Sequence, residues 1–222
     1  MKDTFSEFYD KPDFGKLWDR CTFVFDTSVL IALYTYPKEI YDEFTNILEN
    51  KIPNRIWIPY QIGLEFHKNR VNGVNKAIKN YDGLKSTIIN LKSDSKNLSG
   101  KIIELNDTIS SDLGRNSSIK ELFNEIDIVL NNMAKNLGKK PDYHDDQIRD
   151  KLNILFDGKT GNNYPASRLK EIYKEGKIRS ANKIPPGFED NEYRDLILWY
   201  QILDYAKEEE KSIIFVTETT EN

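Results

Sequence analysis

The chain has 222 residues, 31% of them charged and 38% hydrophobic, with a formal net charge of −4. That describes a polar globular chain long enough to bury a substantial core, and the negative balance argues against nonspecific coating of nucleic acid. It has no apolar run near the ~20 residues that span a bilayer. Its single cysteine, Cys21, excludes an internal disulfide, and the N-terminus MKDTFSEFYDKPDFGKLWDR is too charged for a signal peptide. A cytoplasmic, reducing location is expected.

The first apolar run, TFVFD (22–26), reads as a buried strand ending at an acid, with Thr27 and Ser28 leading into a helical pattern. A carboxylate there is either at the crevice edge of a parallel α/β sheet, where ligands bind, or a helix N-cap. Asp26 alone does not decide. Residues 37–50, PKEIYDEFTNILEN, open on Pro37 and align Ile40, Phe44, Ile47 and Leu48 on one face, which predicts an amphipathic helix. RIWIP (55–59) is a shorter run of strand character, and a helix carrying Glu65 follows it.

Val74, Ala77, Tyr81, Leu84, Ile88, Leu91, Ser95, Leu98, Ile102, Leu105 and Ile109 then alternate spacings of three and four, a heptad with one polar seam position at Ser95. Ile119, Leu122, Ile126, Val129 and Met133 repeat the pattern. An antiparallel helical hairpin over 67–138, turning near Gly114, is expected. Gly100 and the polar residues around it are where its first arm would break. Residues 138–165 are rich in Gly, Asn and Asp, and LFDGKTGNNY (155–164) reads as loop. A second amphipathic pattern, 192–209, leads into the last strand, SIIFVT (212–217). Strands alternating with helices predict an α/β fold with a parallel sheet, formed by 1–66 and 139–222 around the inserted hairpin.

Residues 66–101 hold eight Lys and Arg against Asp82 and Asp94, a local charge of +6, so the remaining residues sum to −10. A basic segment on an acidic body guides a polyanion, or is an ordinary solvated helix face. The acids that stand out are Asp26 at a strand end, Glu65, Asp195 near the start of the last helix, and Glu218 after the last strand. A parallel sheet brings such points to one end, and carboxylate oxygens are ligands for Mg²⁺ or Mn²⁺. Taken singly, each has an ordinary alternative as cap, surface acid or partner of a helix dipole. Two histidines, one cysteine and no glycine-rich phosphate loop leave zinc, thiol and nucleotide chemistry without parts. His67 reads as an exposed helix residue.

The segments FSEFY (5–9), FVFDTSVLIALY (23–34), WIPYQIGLEFHKNR (57–70), LFDGKTG (155–161), IPPGFED (184–190), YRDLILWYQILDYAK (193–207) and IIFVT (213–217) resemble, in this order, the PIN-like nuclease family, in its bacterial branch with a long helical insertion. The resemblance implies a PIN-like three-layer fold with a central parallel sheet. It implies a Mg²⁺- or Mn²⁺-dependent endonuclease that hydrolyses phosphodiester bonds of single-stranded RNA or DNA, with a defence or toxin-type role. It places catalytic and metal-binding acids at Asp26, Glu65 and Asp195, adds Glu218 as a further metal ligand, and makes Thr27 or Ser28 a polar contact. Lys68, Arg70, Lys76 and Lys79 would lie along the nucleic-acid path.

The sequence departs from the family after the last strand. TETTEN sets Glu218 and Thr219 where two aspartates are expected, Arg194 stands where this branch tends to have glycine, and a further C-terminal strand is not represented. The TETTEN terminus favours the alternative, a catalytically degenerate module that binds a protein partner or a second copy through its hairpin, while retention of Asp26, Glu65 and Asp195 favours the enzyme.

Overall fold

The computed structural model describes residues 1, 4, 14–109, 113–188 and 192–218, apart from the side chains of 113–115. The segment FSEFY, the last residues of IPPGFED, and Thr219 therefore lie outside the described residues. In chain order the elements are α1 (Phe14–Arg20), β1 (Thr22–Phe25), α2 (Thr27–Ala32), α3 (Lys38–Asn50), α4 (Tyr60–Ile109), α5 (Leu113–Asn136), α6 (Gln147–Leu155), α7 (Ala166–Asn182), α8 (Arg194–Glu208) and β2 (Ile213–Val216). Among the described residues no helix is long and apolar enough to cross a membrane.

The chain divides into two compact units, Met1–Val71 with Gln147–Asn222, and Asn72–Asp146. The first contains the sheet. β1 pairs in parallel with β2, Phe23 beside Ile214 and Phe25 beside Val216. All four residues of β1 are buried, as expected of a strand covered on both faces. β2 is only half-buried, with Phe215 42% exposed, because β1 is its sole neighbour among the described residues.

Residues 55–59 do not form the expected strand. Ile56 bridges Phe23 and Ile58 bridges Thr160, both in parallel, so the short run turns from one neighbour to the other before a ladder can build. Trp57 N donates to Phe23 O at 3.1 Å and Ile58 N donates to Lys159 O at 3.0 Å. Pro59, with no N–H, stops the pairing and α4 begins. The expected loop 155–164 likewise supplies a sheet partner at Thr160, and α6 precedes it.

On one side, α7 and α8 enclose a core of Ile172, Leu196 and Ile197, with Tyr164, Leu169, Tyr193 and Tyr200 packed against it. Gly176 makes room for the Tyr193 ring, since a Cβ there would stand 2.5 Å from the ring's Cγ. Arg168 lies over the Tyr200 ring at 4.8 Å.

In the second unit α4 runs unbroken through Gly100. A glycine costs a helix only about 1 kcal/mol, too little to interrupt one of 50 residues. Gly114 is the second residue of α5; residues 110–112, where the expected turn near it falls, are outside the described set. Hydrogen bonds join Asn106 to Asn116 at 2.7 Å, Lys92 to Asn131 at 2.6 Å, and Tyr81 to the Gly138 carbonyl at 3.4 Å. Partner numbers thus rise along α5 as they fall along α4.

Candidate active site

Asp26 immediately follows β1, and its N–H donates to Val216 O at 2.8 Å, so pairing with β2 fixes where the side chain leaves the sheet. It caps α2, with Oδ1 accepting from Thr27 N at 2.8 Å. Capping does not exhaust the carboxylate. Its Oδ2 accepts from Ser28 Oγ at 2.6 Å and from Thr217 Oγ1, just past β2, at 3.2 Å. Three segments of the first unit therefore meet at one aspartate.

Glu65 reaches the same place from the second turn of α4. Its Oε2 accepts from Thr27 Oγ1 at 3.2 Å, and its Oε1 accepts from Gln61 Nε2 at 2.6 Å. Thr27, 8% exposed, thus touches one carboxylate with its N–H and the other with its hydroxyl. Gln61 is anchored in turn: its N–H donates to Gln201 Oε1 at 3.0 Å, tying the start of α4 to α8.

The other two sequence candidates stand differently. Glu218 donates its N–H to Ser28 Oγ at 3.3 Å, which places its backbone beside the Asp26 cluster. Its carboxylate accepts from Tyr36 Oη at 3.1 Å, and that bond, behind the cost of burial, raises the Tyr36 pKa. Asp195 is exposed in the first turn of α8. Among the described residues no group of three or more His, Cys, Asp or Glu could hold a metal ion. The hydrogen bonds gather Asp26 and Glu65 around Thr27.

Among the described residues, the Asp26 and Glu65 oxygens accept from an amide N–H, three hydroxyls and a carboxamide, all uncharged. They fix the carboxylates without neutralising them. Each carboxylate offers about four acceptor positions, so each retains capacity for one further partner or more. Hard oxygen ligands in a pair suit Mg²⁺, which is commonly held by one or two carboxylates together with substrate phosphate. The donor chemistry therefore fits a divalent cation.

Of the basic candidates, Lys68, Lys76 and Lys79 are exposed on α4, and Arg70 is half-buried and engaged within the protein. His67 is exposed, with its ring edge-on to Phe66 at 5.4 Å. Gln61 and Thr217 were not singled out in the sequence. Gln61 stands four residues before Glu65, a spacing that sets two side chains on one helix face. Thr217 carried no comparable signal, because its partner lies 191 positions away.

A family model described as a PIN like domain matches residues 22–222. Domains of that family are generally nucleases that bind nucleic acid and use divalent metals. No curated protein and no solved structure gives a match.

Proposed function

We propose, because the chain belongs to the family of PIN-like domains, that it is a Mg²⁺- or Mn²⁺-dependent endonuclease hydrolysing phosphodiester bonds of single-stranded RNA or DNA. The observation that carries this reading is the Asp26–Thr27–Glu65 cluster, two carboxylates held at the end of β1 by uncharged donors. A divalent cation supplies, when bound, polarisation of a phosphoryl oxygen and relief of the negative charge that builds up there. Asp26 and Glu65 would hold it, with Asp195 and Glu218 as candidates to complete the set on closure around substrate.

The remaining work falls to the chain's own groups. Thr27 orients Glu65 through its hydroxyl and Asp26 through its N–H. Gln61 prevents Glu65 from swinging into solvent, and Ser28 and Thr217 hold Asp26 against β2. Such fixed geometry lowers the reorganisation that a reaction must otherwise supply. Lys68, Lys76 and Lys79 are our candidates for phosphate contacts, which position a strand without reading its sequence. Thr27 and Ser28 are candidates for contact at the scissile group.

The finer architecture belongs to the same proposal. Residues 67–138 form an antiparallel hairpin inserted into a three-layer α/β domain made of 1–66 and 139–222. The opposed hydrogen-bond order along α4 and α5 supports it.

The test is cleavage of labelled single-stranded RNA and DNA with Mg²⁺ or Mn²⁺, alongside Asp26→Asn and Glu65→Gln. Asparagine caps a helix as well as aspartate does, so Asp26→Asn removes charge and leaves α2 in place. We expect cation-dependent cleavage that falls at least about a hundredfold in either variant. Equal cleavage by all three proteins would remove the site assignment. No cleavage by any, with the fold intact, would favour a catalytically degenerate module.

A further inference from the structure

The apolar positions of α4 fall into two rows. Val74, Tyr81, Ile88, Ser95 and Ile102, spaced by seven, are buried or half-buried. Leu84, Leu91, Leu98 and Leu105, also spaced by seven, are 56%, 47%, 53% and 60% exposed. α5 lies along α4 through Lys92–Asn131 and Asn106–Asn116, yet the leucine row stays open. An apolar row that keeps a seven-residue period over three heptads stays on one face only where the helix winds about another.

We propose that this row is the contact surface of a homodimer in which α4 packs antiparallel against α4 of a second copy, Leu84 meeting the partner's Leu105 and Leu91 meeting the partner's Leu98. The proposal is independent of the nuclease reading. Two observations favour a second copy over another protein. The row is about 32 Å long at 1.5 Å per residue, so its occupant needs an equally long helix with the same apolar period, and this chain carries one. The four leucines are symmetric about the midpoint of residues 94 and 95, so reversing the helix lays the row onto itself, as a two-fold interface requires.

The full chain is examined by sedimentation equilibrium across the micromolar range, where a mass twice its 25.9 kDa is expected. Leu91→Glu with Leu98→Glu sets charges in the seam of both copies and should raise the dissociation constant by about a hundredfold or more. Circular dichroism should show unchanged helix content, since both leucines are half in solvent. Cys21 is buried, so Leu84→Cys and Leu105→Cys each introduce one accessible thiol. A disulfide needs Cα atoms within about 7 Å. On oxidation a mixture of the two variants should therefore cross-link, while each alone should not. A wild-type chain that remains monomeric at every concentration overturns the proposal. Self-cross-linking by Leu84→Cys alone overturns the antiparallel register.

Discussion

Three consecutive residues of the sheet unit, Phe23, Val24 and Phe25, are no more than 6% exposed, while four leucines of the helical unit stand about half in solvent. Both sets are strongly apolar, and both lie in regular structure. They differ in what surrounds them. β1 has β2 on one edge, the bridge at Ile56 on the other, and side chains alternating onto two covered faces. In the helical unit α4 has α5 beside it, and one helix covers only part of an apolar stripe. An apolar pattern therefore announces that a surface will be covered, and topology decides whether the same chain covers it.

This contrast can be broken by substitution. Leu30 of α2, 1% exposed, should cost about 3 kcal/mol on Leu30→Ala, from lost transfer energy and the cavity left behind. Leu98→Ala, measured dilute enough to keep the chain monomeric, should cost less than about 1 kcal/mol, because half of that side chain already meets water. Urea unfolding of each variant supplies both values, and equal losses would mean that the helical unit is as tightly closed as the sheet unit.

A smaller effect is expected at the joint between strand end and site. Thr27→Val keeps the shape and deletes the hydroxyl that Glu65 accepts from, which should cost about 1 kcal/mol. Cation-dependent cleavage should fall by more than the stability change explains, since Glu65 loses one of its two tethers. Unaltered cleavage at saturating Mn²⁺ would show that Thr27 is structural only.

The smallest effect lies in the α7–α8 corner of the sheet unit. The Tyr200 hydroxyl, with Arg179 behind it, holds the Glu175 carboxyl below its ordinary value of 4.5. Its contribution is therefore fully present above about pH 4.5 and is lost as the pH falls through the lowered folded value. Glu175→Gln should flatten the acid limb of the stability–pH curve by less than about 1 kcal/mol, because the Arg179 pair is partly exposed. A variant curve parallel to wild type from pH 3 to 6, measured by urea unfolding, would show that the bond to Tyr200 carries no linkage.

Several of these features were legible in the amino-acid order. β1, α3, α8 and the long α4 declare themselves through local periodicity, and Asp26 through its place at the end of an apolar run. Other features depend on partners distant in sequence. α6 has Ile148, Leu152 and Leu155 on one face, but nine residues between Asn- and Gly-rich flanks make too short a pattern to stand out. Thr160 joins the sheet through Ile58 alone, and no single bridge leaves a strand-like run. Thr217 serves Asp26 through a hydrogen bond that exists only once β2 has docked, and Gln61, within reach of Glu65 on α4, is anchored only once α8 has docked. The heptad gave the helices of the second unit, and its period does not say which of two rows a neighbour will cover.

Trp57 sits between Gly161 and Tyr205. A side chain on Gly161 would begin 2.6 Å from the indole Cζ2, and the Tyr205 ring stacks on it at 3.9 Å with 12° between planes. The chain's other two tryptophans, Trp18 and Trp199, are 56% and 45% exposed. Acrylamide should therefore quench two emitters readily and leave a shielded component belonging to Trp57. That component is an optical reporter of the seam where the 158–161 segment meets α8. Its spectrum would shift whenever the segment lifts from the helix.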